Sequence, residues 1–123
     1  MAREPARSGG ARGEEAAGRH LEKCGYRILV RNYRGPRYEV DIVAEEKGVL
    51  AFVEVKTRRP GEDESGLLAV GPAKQHRIRR AAEHYLLTHP EARSAFCRFD
   101  VVIVEAGPGG EARPLRLLRD AFR

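Results

Sequence analysis

The sequence predicts an α/β sandwich: a mixed central sheet of four to five strands flanked by helices, in the order α-β-β-β-α-β-β. Three observations point to it. Two stretches carry apolar residues at helical spacing, several short β-rich runs are separated by Gly/Pro turn signals, and 123 residues suit one domain with a single core.

Residues 1–10 (MAREPARSGG) are small, polar and rich in turn formers, so they are expected to form a disordered tail before a single domain over 11–123. From about Ala11 the pattern is helical, with Ala17, Leu21 and Cys24 on one stripe and Gly25 as the stop signal. Tyr26 to Tyr33 (YRILVRNY) alternates weakly and reads as a strand, and RGPR is a turn. Tyr38 to Thr57 then reads as a hairpin. Arg58 to Gly71 is polar with Gly and Pro, and reads as a mobile loop or a lid. Pro72 suits the first position of a second helix running to about Thr88, with Ile78, Ala81, Ala82 and Tyr85 on its apolar side. Phe96 to Glu105 is the most apolar strand, and Leu115 to Leu118 is the expected last edge strand.

Composition narrows the function classes. At 41% hydrophobic and 33% charged the chain reads as a soluble globular protein. No apolar run approaches the roughly 20 residues a membrane helix needs, and the N-terminal residues lack an apolar signal core, so a cytoplasmic location is expected. Cys24 and Cys97 lie far apart without CxxC or Cys/His spacing, which argues against a disulfide framework or a zinc site; both are expected to be buried small apolar residues. The net charge of +5 fits a polyanionic partner, and equally fits plain solubility. With 19 Arg against 4 Lys, each lysine is informative. Lys56 stands where arginine would serve for charge alone, and a lysine pKa can be lowered whereas an arginine pKa effectively cannot.

The hairpin holds the candidate chemistry. A two-residue turn at Lys47 and Gly48 pairs Glu46 with Val49, and counting outwards sets Val43 opposite Phe52, Asp41 opposite Glu54 and Glu39 opposite Lys56 on one face. The other face pairs Ala44 with Ala51, Ile42 with Val53 and Val40 with Val55, all apolar. Directly opposed like charges are destabilising, and a divalent cation between Asp41 and Glu54 would offset the repulsion. Mg²⁺ suits such a site because it takes one or two carboxylates and keeps water and substrate phosphate in its other positions; Mn²⁺ is the expected substitute. Lys56 then stands where it could orient or deprotonate a water. The alternative is a Glu39 to Lys56 ion pair with Asp41 and Glu54 simply solvated. Glu14, at i, i+3 and i+7 with Ala17 and Leu21, adds a third acid on the packing side of the first helix; its alternative is a helix-start glutamate favoured by the macrodipole. Lys74, Arg77 and Arg80 recur on adjacent turns of the second helix, where they could track phosphates or form a solvated face.

These residues also carry a family resemblance. An acid on one strand followed by Glu-Val-Lys on the next resembles the PD-(D/E)xK nuclease superfamily. More closely, RGEEAAGRHLEKCGYRILVRNYR, EVDIVA, FVEVKTR, KQHRI and RFDVV, in order and with fitting spacings, resemble the YraN family of bacterial proteins, itself similar to archaeal Holliday junction resolvases. The resemblance runs from about Arg12 to Phe122. It implies a restriction-endonuclease-like fold, an active-site set of Glu14, Asp41, Glu54 and Lys56, and Gln75 beside Lys74 facing the site. Glu39 and Tyr38 are accessory candidates; Tyr38 replaces a glycine usual in the family, where its ring could stack on a base. Asp100, in the RFD block, reads as structural.

The leading expectation is a Mg²⁺-dependent endonuclease acting on DNA, including branched or structured DNA. The alternatives are a nucleic-acid-binding protein that keeps the fold without turnover, and an RNA-directed nuclease. Paired cutting of a symmetric junction would require a homodimer, for which Leu67, Leu68, Leu115, Leu117 and Phe122 are the candidate apolar contacts.

Overall fold

The computed structural model describes residues 8–63, 65–92 and 95–123. Along the chain run α1 (Ser8–Lys23), β1 (Arg27–Arg34), β2 (Glu39–Glu46), β3 (Val49–Arg58), a four-residue α2 (Ser65–Leu68), α3 (Pro72–Thr88), β4 (Phe96–Ala106) and β5 (Ala112–Phe122). The strands form one sheet in the order β1-β2-β3-β4-β5, antiparallel except for the β3 to β4 pair. The parallel pair follows from the crossover through α3, since two adjacent parallel strands need a long connection. This is the predicted restriction-endonuclease-like sandwich, with α2 added in the connection before α3. The expected tail falls mainly on residues 1–7, which lie outside the described residues.

The first helix stops as its sequence dictates. Gly25 has φ +99°, the Tyr26 amide donates to the Leu21 carbonyl and the Gly25 amide to the Glu22 carbonyl. Those two bonds are the Schellman arrangement, closed by the apolar pair Leu21 and Tyr26 in one core. At its other end α1 lies very close to the sheet: a Cβ at Gly13 would stand 3.1 Å from Thr57 Oγ1 and from a Val104 methyl.

Each face of the sheet has its own core. Ala16, Ala17 and Leu21 of α1 cover Ile42, Ala44, Ala51, Val53, Val102 and Val104. On the opposite face Ile78, Ala81, Ala82 and Tyr85 of α3 cover Val43, Leu50, Phe52, Val101 and Ile103. The four α3 residues are those predicted for its apolar side. Leu67, Leu68, Leu115, Leu117 and Phe122 are half-buried and pack against these cores. Among the described residues the large apolar side chains that stand out in solvent are Leu87 and Phe96.

The hairpin turn puts Lys47 at φ +51° and Gly48 at φ +82°, the two left-handed positions a two-residue turn needs. Five predicted pairs follow, from Glu46 with Val49 to Ile42 with Val53. Beyond them the prediction fails. Asp41 to Glu54, Val40 to Val55 and Glu39 to Lys56 do not continue the ladder, and Val40 packs with Val43 on the α3 side rather than with Ile42 and Ala44. Residues three apart share a face only where a strand breaks its alternation. The neighbouring strand does the same: Val30 and Tyr33 both lie against the α3 core, and Asn32 between them has φ +52°. Asp41 therefore sits where β2 turns its faces over and parts from β3.

Two further expectations are corrected. Cys24 and Cys97 are both free and exposed rather than buried: Cys24 follows the last turn of α1, near His20, and Cys97 stands at the exposed start of β4. Glu39 pairs with Arg34 of β1 at 3.3 Å instead of with Lys56, because β2 follows β1 after the split. Asp100 has the structural role expected of it. Fully buried, it accepts from Tyr26 Oη (2.7 Å), Arg98 (2.9 and 3.0 Å) and the Asp120 amide (2.9 Å). Arg98 also reaches Glu46, which takes a bidentate pair from Arg119 and is pulled down to about 2 by it. This network ties β2, β4 and β5 at the turn end of the hairpin, with Tyr26 beside the α1 core.

Candidate metal and nucleic-acid site

The site forms where β2 and β3 part. With the ladder ended at Ile42, the Val55 amide loses a backbone partner and donates instead to Asp41 Oδ2 at 2.8 Å. That bond fixes the Asp41 carboxylate against β3, beside Glu54. Glu54 lies on the face of Leu50 and Phe52, toward α3, and there Lys74 Nζ stands 3.5 Å from its Oε2. Both acids are about nine-tenths buried. Burial, and then the Asp41 charge, push the Glu54 carboxyl up to about 7, against the pull of Lys74 and Lys56.

Lys56 is two residues along the same strand and donates from Nζ to the Ala69 carbonyl at 2.8 Å. Gln75 Nε2 donates to the neighbouring Val70 carbonyl at 2.7 Å, so both side chains hold the end of the 59–71 connection against the site. Glu14 is also buried and follows Gly13, which packs over Thr57 from the α1 face. It thus begins near the same end of β3 as Glu54 and Lys56, on the other side of the sheet. Among the described residues no three His, Cys, Asp or Glu side chains gather closely enough to ligate one ion. The close pair of oxygen donors is Asp41 and Glu54, a hard set that matches the two carboxylates Mg²⁺ uses beside water and phosphate.

A basic cavity of about 330 Å³ opens beside this pair, between the β1 to β2 turn and the first turns of α3. Arg34, Arg37, Tyr38, Glu39, Lys74 and Arg77 line it. Arg37 and Arg77 have no ion-pair partner among the described residues, whereas Arg80 pairs with Glu83 at 3.2 Å on an exposed flank of the helix. Helical spacing singled out Lys74 and Arg77. Arg34 and Arg37 read from sequence as turn residues; the signal for their role is a pair of cations bracketing Gly35 and Pro36, which line the cavity with them. Tyr38 rests partly on the α3 core, with its ring edge-to-face against His76 at 6.3 Å.

No helix among the described residues is long and apolar enough to cross a membrane. Comparison with known proteins finds a match to the model of the uncharacterised protein family UPF0102 over residues 13–104. Among relatives, a UPF0102 protein of Synechococcus sp. (strain JA-3-3Ab) is 48% identical over 103 residues, covering 83% of this chain and 79% of its own. One from Desulfosudis oleivorans is 48% identical over 113 residues, covering 92% and 88%. One from Symbiobacterium thermophilum is 47% identical over 119 residues, covering 92% and 94%. The match spans α1, the split hairpin, α3 and most of β4, and the chain belongs to the UPF0102, or YraN, family.

Proposed function

We propose that this protein is a divalent-metal-dependent endonuclease that hydrolyses phosphodiester bonds of DNA. The observation that carries the reading is the Asp41 and Glu54 pair: two buried carboxylates side by side, one pushed up to about 7, at a point where the sheet parts and a basic cavity begins. Their mutual repulsion is a cost to the fold, and a bound cation removes it. When bound, Mg²⁺ would supply charge stabilisation at the phosphate and a more acidic water. The chain's own residues do the rest. Asp41, anchored by the Val55 amide, and Glu54 would hold the ion. Lys56 orients the attacking water, and Lys74 and Arg77 carry the substrate phosphates toward the acids. The resemblance to junction nucleases makes DNA the expected strand.

A second reading, a nucleic-acid-binding protein without turnover, draws on the Lys74 to Glu54 ion pair, which already neutralises one acid. Cleavage separates the two. A screen of structured DNA and RNA with Mg²⁺ or Mn²⁺ is expected to yield metal-dependent products that Glu54→Gln does not make; substrates bound but intact under every condition would favour the binder. In the same screen Lys56→Arg is expected to lose about 100-fold in rate, because arginine keeps the charge but not the compact ammonium. Wild-type turnover by Lys56→Arg would reduce that position to charge alone.

A further inference from the structure

The cavity beside the acid pair differs from a general phosphate track in having an aromatic wall. Tyr38 forms one side, half-exposed, while Arg37 and Arg77 stand without ion-pair partners among the described residues on the turn and on the helix. The Arg34 and Glu39 pair, 3.3 Å apart, places a donor and an acceptor together on the same wall. Cations alone recognise a duplex backbone as well as a single strand. The Tyr38 ring, only partly taken up by the α3 core and the edge-to-face contact with His76, can also meet the face of a base, and in a duplex that face is covered by its stacked neighbours.

We propose that this cavity is a subsite for one unpaired nucleotide next to the scissile phosphate, so that the enzyme selects DNA with a single-stranded or unstacked position. The base stacks on Tyr38, and its phosphate lies between Arg37 and Arg77. About 330 Å³, at the lower end of the roughly 300–1,000 Å³ of small-ligand sites, suits one nucleotide rather than a base pair. Lys74 joins the two sites: it lines the cavity and stands 3.5 Å from Glu54 Oε2, so the nucleotide held here adjoins the phosphate at the acids. The inference rests on the nuclease reading for its meaning, but its test does not require cleavage.

Binding is measured by fluorescence anisotropy in EDTA, comparing a duplex with a three-nucleotide overhang to a blunt duplex of equal phosphate number. The wild-type protein is expected to bind the overhang about 10-fold more tightly, as stacking of one base allows. Tyr38→Leu, which keeps an apolar side chain against the core, is expected to bring the ratio within 2-fold, and Tyr38→Phe to retain it. An abasic nucleotide at a single overhang position should mimic Tyr38→Leu. Changing Arg37 and Arg77 to Gln should lower the slope of log affinity against log salt by roughly 1 to 2. Equal affinity for the two duplexes, or a preference that survives Tyr38→Leu, would overturn the subsite. Failure to cleave any substrate would overturn the nuclease reading and leave this binding result standing.

Discussion

Asp41→Asn and Glu54→Gln are each expected to lower the rate of Mg²⁺-dependent cleavage by about 10³-fold or more, corresponding to about 4 kcal/mol of transition-state stabilisation. Nucleic-acid binding should persist or tighten, because each change removes a negative charge that faces phosphates. The substitutions are close to isosteric. The asparagine oxygen still accepts the Val55 amide, so the parting of β2 and β3 survives, and the loss reads chemistry rather than folding. Gel assays of cleavage and anisotropy of binding on the same preparations check this. Loss of binding together with activity would point to a damaged site; unchanged cleavage in either variant would remove that carboxylate from the mechanism.

The second large effect is on stability. Glu54 titrates at about 7 in the folded protein against an ordinary 4.5, so the native state holds this proton more tightly than the unfolded chain between those values. Stability from this group is therefore fully present below pH 4.5, is lost as pH rises toward 7, and stays lost above. The shift corresponds to up to about 3 kcal/mol. Relative to wild type, Glu54→Gln is expected to gain stability from pH 5 to 7 and to stay more stable at pH 8. Urea denaturation at stepped pH measures the difference. Saturating Mg²⁺ should narrow it at pH 8, since the cation takes over the role of the proton. A difference independent of pH would mean that Glu54 ionises normally and is not crowded by Asp41.

Much of this was legible before the structure, and the failures have physical reasons. The turn at Lys47 and Gly48 sets five hairpin pairs because a two-residue turn leaves no choice of register. Counting further assumed that alternation continues, and nothing in Val40 and Val43 says otherwise, since valine suits either core. The break in β2 lies beside Asn32 of β1, whose left-handed backbone stands between the Arg31 to Ile42 and Tyr33 to Val40 pairs and meets β2 only once the two strands are paired. The same break brings the acids together by a route counting did not foresee: a side chain to backbone bond from Val55 rather than a ladder pair. Helix faces were easier. Ile78, Ala81, Ala82 and Tyr85 recur at helical spacing and all are buried. The cysteines were not, because a small apolar residue carries no sign of which side it faces. The Arg98, Glu46, Asp100 and Tyr26 network joins residues up to 74 positions apart and only the fold reveals it.

A metal-dependent nuclease site here requires that the Asp41 and Glu54 carboxylates hold a divalent ion. Electron paramagnetic resonance titration of Mn²⁺ in metal-free buffer at pH 8 addresses this without any substrate. The expected result is one bound Mn²⁺ per chain, displaced by excess Mg²⁺, with affinity falling at least 10-fold in Asp41→Asn and in Glu54→Gln. Mn²⁺ binding that is absent from the wild-type protein, or that is unchanged when both carboxylates are removed, would contradict it.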